Sequence, residues 1–209
     1  MRLFTICCLI ILAVFISGCD QAVVSGYDFH GLNLSGDPVQ EPPDVGKAQW
    51  QIPGGQFIIT PVARYQVAAL VESVKRYSNG WQGQLAPMDI LLAWGRMTDP
   101  EVQKYCSFSQ SNRWGFYQYK AGCPVDGYYI SSHCSNHHLI PATANIRAAL
   151  KQIRNHTRVK FEGYLVNVDG KWNGRDYWWH SSTSRTDTGD GACELLLVQK
   201  VQIDNKIYR

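Results

Sequence analysis

The stretch from His180 to Glu194, HSSTSRTDTGDGACE, is the most polar and glycine-dotted part of this chain. It holds hydroxyls, Arg185, Asp187 and Asp190, with His180 at its start. His180, Ser182 and Asp187 are the residue types of a base, a nucleophile and the carboxylate that orients the base. A hydrolase reading would use these three. Its sequence context is poor: there is no Gly-x-Ser-x-Gly elbow and no serine placed before a helix N-terminus. Asp187 and Asp190 offer oxygens to a calcium ion, but not at the spacing of an EF-hand loop. The plainer expectation is a hydrogen-bonded loop in which Arg185 pairs with Asp187 or Asp190.

Two other clusters carry chemistry. SSHCSNHH contains His133, Cys134, His137 and His138. On a helix, His133 and His137 would face one way and could share a metal. Gly127 before them and Pro141 after them leave little room for that helix. The stretch is expected to be a structural loop, with one histidine hydrogen-bonded into the core. No cofactor is expected. Trp178 and Trp179 are adjacent, with Tyr177 and Trp172 nearby. In a strand the two indoles point to opposite faces. One enters the core; the other is covered by a helix, or stays exposed to stack on a glycan ring, a nucleobase or a partner's side chain. Trp178, Trp179, Arg185, Asp187 and Asp190 form the candidate binding surface. Asp187-Thr188-Gly189 matches the Asp-Thr-Gly string of aspartic proteases. That match fails in context, because SSTSR stands where an apolar strand should precede it and Asp190 replaces the usual hydroxyl residue.

The elements that position these residues are mostly strands. FIITPVARYQVAALVESV is β-branched and reads as a strand. APMDILLAWG reads as a short helix beginning at Pro87 and stopped by Gly95. Asp99-Pro100-Glu101 reads as another helix start. Two strands flank a turn at Ser111-Asn112, the second being WGFYQYK. TANIRAALKQIRN is a helix capped by Thr143, with Ile146, Leu150 and Ile153 on one face and Arg147, Lys151 and Arg154 on a neighbouring one. That basic stripe is expected to be a solvated face, with anionic lipid or a partner as the alternative. TRVKFEGYLVNVDG alternates as a strand, and its parity changes at Gly163, which predicts a bulge or bend. DYWWHSS and CELLLVQKVQI add further strands. The expected fold is α+β: a small, mainly antiparallel β-barrel of the OB type with a few short helices.

The N-terminus decides where such a body would sit. Met1-Arg2 is followed by LFTICCLIILAVFISG, 16 uncharged residues, too short for an ordinary membrane-spanning helix and suited to a secretory signal. Ile16-Ser17-Gly18-Cys19 resembles the lipobox of bacterial lipoproteins. The resemblance implies cleavage before Cys19, a diacylglycerol on its thiol and acylation of the new N-terminus. Asp20 resembles the signal that retains lipoproteins in the inner membrane of enteric-type bacteria, so inner membrane is favoured over outer. The parts SSTSRTDTGDGACE and HHLIPA, in the last third, resemble an uncharacterised group of small bacterial exported proteins. That likeness implies no activity.

The expected organisation is a signal peptide (1–18), a lipidated N-terminus and flexible tether (19–55), and one globular domain (56–209). The tether reading rests on its glycine and proline content. Export exposes Cys106, Cys123, Cys134 and Cys193 to an oxidising compartment, where Cys106–Cys123 and Cys134–Cys193 are the favoured disulfides among three pairings. Loss of Arg2 with the signal leaves 19 basic against 17 acidic residues, a balance that argues against nucleic acid. The functional expectation is a periplasm-facing lipoprotein with a non-enzymatic binding or scaffolding role toward an envelope protein or glycan. An envelope hydrolase using His180, Ser182 and Asp187 is the alternative.

Overall fold

A computed structural model describes residues 21–209. Cys19 and the signal segment lie outside the described residues. In chain order the elements are β1 (Gly26–Tyr27), β2 (Val39–Glu41), β3 (Ala48–Ile52), β4 (Gly55–Arg76), α1 (Gly80–Leu85), β5 (Met88–Ala93), α2 (Pro100–Gln103), β6 (Cys106–Ser111), β7 (Trp114–Tyr119), α3 (Gly127–Ser132), β8 (Cys134–Pro141), α4 (Ala144–Leu150), β9 (Arg158–Trp172), β10 (Arg175–His180), β11 (Glu194–Ile203) and β12 (Lys206–Tyr208). The two richest β-branched runs become the two longest strands, β4 with 22 residues and β9 with 15, and they pair antiparallel over most of their length. One edge of β4 carries β3, β2 and β5 in succession, and the other is held by β9. The far edge of β9 takes β10 near one end and β11 near the other.

The strands β4, β5, β8, β11 and β9 are each hydrogen-bonded to the next, and β9 returns to β4. Their inward side chains, including Tyr65, Val67, Ile90, Leu139, Phe161 and Leu196, make the main core, which Ile146 and Leu150 of α4 close. A second cluster, Phe57, Ile59, Trp81, Val166 and Val168, lies under the far half of β4 and β9. Tyr164 is buried and Glu162 is 31% exposed against Lys200, and the parity change at Gly163 has a cause on the partner strand. A Cβ at Gly163 would lie 2.0 Å from the Leu197 carbonyl oxygen, and the register of β11 shifts between Val198 and Lys200. The bulge sits on β11, and the glycine permits the close approach.

Three expectations need correction. The class is α+β and β-rich, 49% strand and 14% helix, and among the described residues every strand pairing but that of β8 with β11 is antiparallel, yet ten strands form one large mixed sheet rather than a small OB-like barrel. The sequence reading missed the strands that enlarge the sheet. One of them is MDILLA: it is β5, not a helix, and all six residues are buried. A strand covered on both faces has no polar alternation to reveal it.

The third correction concerns 19–55. From Ala22 onward this segment is laid on the body instead of hanging free. Ala22 and Val24 pack on the main core, β1 pairs β12, and β2 and β3 pair β4. Leu32 and Leu34 are buried, and Arg158 donates to the Leu32 carbonyl at 2.7 Å. Sheet edges supply the hydrogen bonds that the segment's own composition cannot. Among the described residues no helix is long and apolar enough to cross a membrane.

Candidate functional site

Strand alternation divides the predicted binding residues between two places. Trp179 turns inward and is half-buried, edge-on to Trp81 at 5.8 Å and 4.6 Å from the His138 ring. Trp178 turns outward and is 71% exposed. On that outer face, register places Gln49, Ile58, Asp169 and Trp178 in one row across β3, β4, β9 and β10. The next row holds Gln51, Gln56, Lys171 and Asp176, with a 3.2 Å ion pair between the last two. His180 lies 5.1 Å from the Trp178 ring, and its Nε2 is 2.9 Å from Asp169 Oδ1. The result is a sheet face with one exposed indole among amides, carboxylates and an imidazole. Such a face stacks on an apolar ring surface and offers both donors and acceptors around it.

The loop 181–193 goes elsewhere. Ser182 is buried; its hydroxyl donates to Asp187 Oδ2 at 2.7 Å and accepts from the Ser184 amide at 3.0 Å. His180 is committed to Asp169, so the geometry of a His180/Ser182/Asp187 triad is not assembled: Ser182 meets the carboxylate and no imidazole. Arg185 does not pair with Asp187 or Asp190. Its Nη1 is 3.5 Å from Asp37 Oδ1, and its Nη2 donates to the Pro38 carbonyl. Gln40 reaches the Thr183 carbonyl at 3.1 Å. The segment first read as tether thus holds the loop in place. Asp190 is exposed at the loop tip.

Between this loop and β7 is a cavity of about 160 Å³, with Ser135 and Asn136 of β8, Glu194, Trp94 and Trp114 among its walls. Burial raises the Glu194 carboxyl to about 8, and Ser135 donates to it. Burial also raises the Cys193 thiol to about 11 and the Cys134 thiol to about 12. Neither sulfur is a thiolate at neutral pH, so neither is an activated nucleophile. His137 is fully buried, pushed down to about 3 by desolvation, with the Tyr65 hydroxyl 3.1 Å from its Nε2. His138 is buried as well, 2.9 Å from Asp89, so two histidines enter the core where one was expected, and they do so from strand β8 rather than from a loop. His133 instead stacks on Tyr129 at 3.7 Å, its Nδ1 2.9 Å from the Tyr129 carbonyl. The two imidazoles do not converge, and among the described residues no three His, Cys, Asp or Glu side chains form a metal-sized group.

The four cysteines carry free thiols and no two lie at disulfide distance. Cys106, Cys123 and Cys134 pack round one small cluster with Met97 and Ile130, whereas Cys193 lies 3.5 Å from the Asn136 amide. Of the two expected pairs, Cys134 and Cys193 line one cavity and the Cys106 thiol lies beside that of Cys123, but neither pair is at disulfide distance.

The reading of the sequence missed a buried ionic group. Asp89 of β5, 1% exposed, is 2.6 Å from Arg113 Nη1 and 2.9 Å from His138 Nδ1. The Arg113 guanidinium also lies 3.7 Å from the Tyr77 ring centre and 5.3 Å from that of Trp179. Arg113 sits at the β6–β7 turn, at φ +71°, so this group fastens the hairpin to the main sheet. An aspartate inside the apolar run MDILLA was the available signal: a buried carboxylate demands a cationic partner.

Compared with known proteins, the chain matches no family model, and neither a curated protein nor a solved structure is significantly similar to it.

Proposed function

We propose that this chain is a lipoprotein of the bacterial envelope, acylated at Cys19 and facing the periplasm, with the inner membrane favoured by Asp20. Its role is non-enzymatic: it binds glycan through the outer face of β3, β4, β9 and β10. The observation that carries this reading is Trp178, 71% exposed in a row with Ile58, Asp169 and Gln49. A sugar ring presents C–H groups on its face and hydroxyls round its rim. The indole suits the first; the Asp169, His180, Gln56 and Gln49 side chains suit the second.

The probe is purified, insoluble peptidoglycan, with retention of the protein measured by sedimentation. Trp178→Ala is expected to weaken retention about tenfold, equivalent to the ~1.4 kcal/mol that an aromatic platform contributes. Because the side chain is exposed, its melting temperature should match the parent's. Equal retention of the parent and Trp178→Ala, or no retention of either, overturns the glycan assignment.

A further inference from the structure

The described chain begins beside a basic surface. Val23 is fastened to Asn145 of α4 by two hydrogen bonds, its amide donating at 2.7 Å and its carbonyl accepting at 3.0 Å. Ser25 then donates to the Ile207 carbonyl at 2.7 Å, and β1 follows along β12. Cys19 is three residues before Ala22, which packs on the core. Three residues reach at most about 11 Å. An acyl chain on Cys19 therefore brings the bilayer surface within about that distance of α4 and β12, and the body cannot swing on a long leash.

The surface it meets is cationic. A groove of about 470 Å³ beside Gln21, Ala22 and Val24 is lined by Lys151, Arg154 and Lys206, with no carboxylate among its walls. Next to it, a smaller cavity of about 160 Å³ has Arg76, Arg147 and Lys151 around Met88 and Leu150. Among the described residues none of these five cations lies within ion-pair distance of an acid, although the chain holds 17 acidic residues. Arg76 and Arg154 even converge, both donating to the carbonyls of Lys151 and Ile153 just past α4. Desolvation and the Arg154 charge hold the Arg76 guanidinium below its usual range. Like charges gathered without acids among the described residues are the arrangement that an anionic partner relieves. The acids at this end of the sheet, Asp28 and Asp204, line a different cavity with Arg158.

We infer that the face formed by Arg76, Arg147, Lys151, Arg154 and Lys206 lies against the protein's own membrane and takes the phosphates of anionic phospholipid headgroups. The inference rests on the lipid-anchor reading. It also orients the molecule. From Arg158, near α4, to Asp169 in the row of Trp178, β9 runs about 35 Å along the strand. The glycan face is then held off the bilayer by a strand instead of by a flexible tether.

The test uses the native, full-length acylated protein in vesicles of phosphatidylcholine, with and without phosphatidylglycerol. An amine reagent labels Lys151 and Lys206, with Lys171 of the outer face as internal reference. Phosphatidylglycerol is expected to slow labelling of Lys151 and Lys206 about fivefold or more relative to Lys171, and salt should reverse this. The exposed pair Lys151→Glu with Arg154→Glu should remain folded and acylated while Lys206 loses its protection. Equal labelling in the two vesicle types, or protection of Lys171 in their place, overturns the headgroup assignment alone. Intact mass lacking acyl chains at Cys19 overturns the anchor, and this inference with it.

Discussion

The outer face of β10 and the loop that follows it are consecutive in the chain, yet they treat their polar groups in opposite ways. In the loop, Ser182 is closed on Asp187 and Ser184, and Arg185 is held by Asp37 and Pro38. On the β10 face, Trp178 is open, and the His180–Asp169 pair beside it remains 44% and 55% exposed. Polar residues crowded in one stretch satisfy each other, because a buried donor or acceptor without a partner is costly. A row assembled across four strands has its members spaced by the sheet, so they stay available to a ligand. The crowded loop closes on itself, and the spread row leaves an indole and an ion pair exposed.

Substitutions should separate the two regions by stability. The largest effect is expected deepest in the structure, at the ionic group beneath the hairpin. Arg113→Ala leaves Asp89 buried beside His138 without its guanidinium, and is expected to destabilise the protein by about 3–5 kcal/mol in a urea melt. In the loop, Ser182→Ala removes the bond to Asp187 and should cost about 1–2 kcal/mol. Asp169→Asn, on the exposed face, should stay within about 0.5 kcal/mol of the parent while weakening peptidoglycan retention. If Ser182→Ala is neutral and Asp169→Asn destabilises, the contrast between the regions is wrong.

A separate effect, set by the core beneath both regions, should appear in the pH dependence. Burial raises Glu194 from 4.5 to about 8 and Glu72 from 4.5 to about 7. The folded protein binds these protons more tightly than the unfolded chain, so their contribution is present below pH 4.5 and is lost as pH rises through 7 and 8. His137 is lowered from 6.5 to about 3 and acts in the opposite sense, its contribution present above 6.5 and lost as pH falls toward 3. Between pH 6.5 and 8 the two carboxyls therefore act alone among these groups, and the melting temperature should fall across that window. Glu194→Gln should flatten the fall. A parent whose melting temperature is constant from pH 6.5 to 8 would contradict the burial of both carboxyls.

Much of the element order was legible where a local rule acts. Thr143 caps α4 through the Ile146 amide at 3.1 Å, and Asp126 caps α3 through the Tyr129 amide at 2.7 Å, although only the first was anticipated. Alternation in RVKFE announced β9, whereas the break at Gly163 marks a close approach of β11, on which the bulge lies. The miss at β5 came from Pro87 and Gly95, which bracket a buried strand as readily as a short helix. Residues 22–55 were misjudged because their few anchors, Leu32 and Leu34 among them, hold only through edges supplied by β4, β9 and β12.

The sequence by itself determined what backbone stereochemistry and side-chain period control: the long strands, the capped helix, and the opposite facing of Trp178 and Trp179, since neighbours in a strand must diverge. Tertiary structure alone decided which indole is covered, which carboxylate meets His180, and that Arg185 reaches back to Asp37. Those outcomes depend on partners 11 to 148 positions away in the chain, and the free energy that selects them exists only once the sheet has brought the partners together.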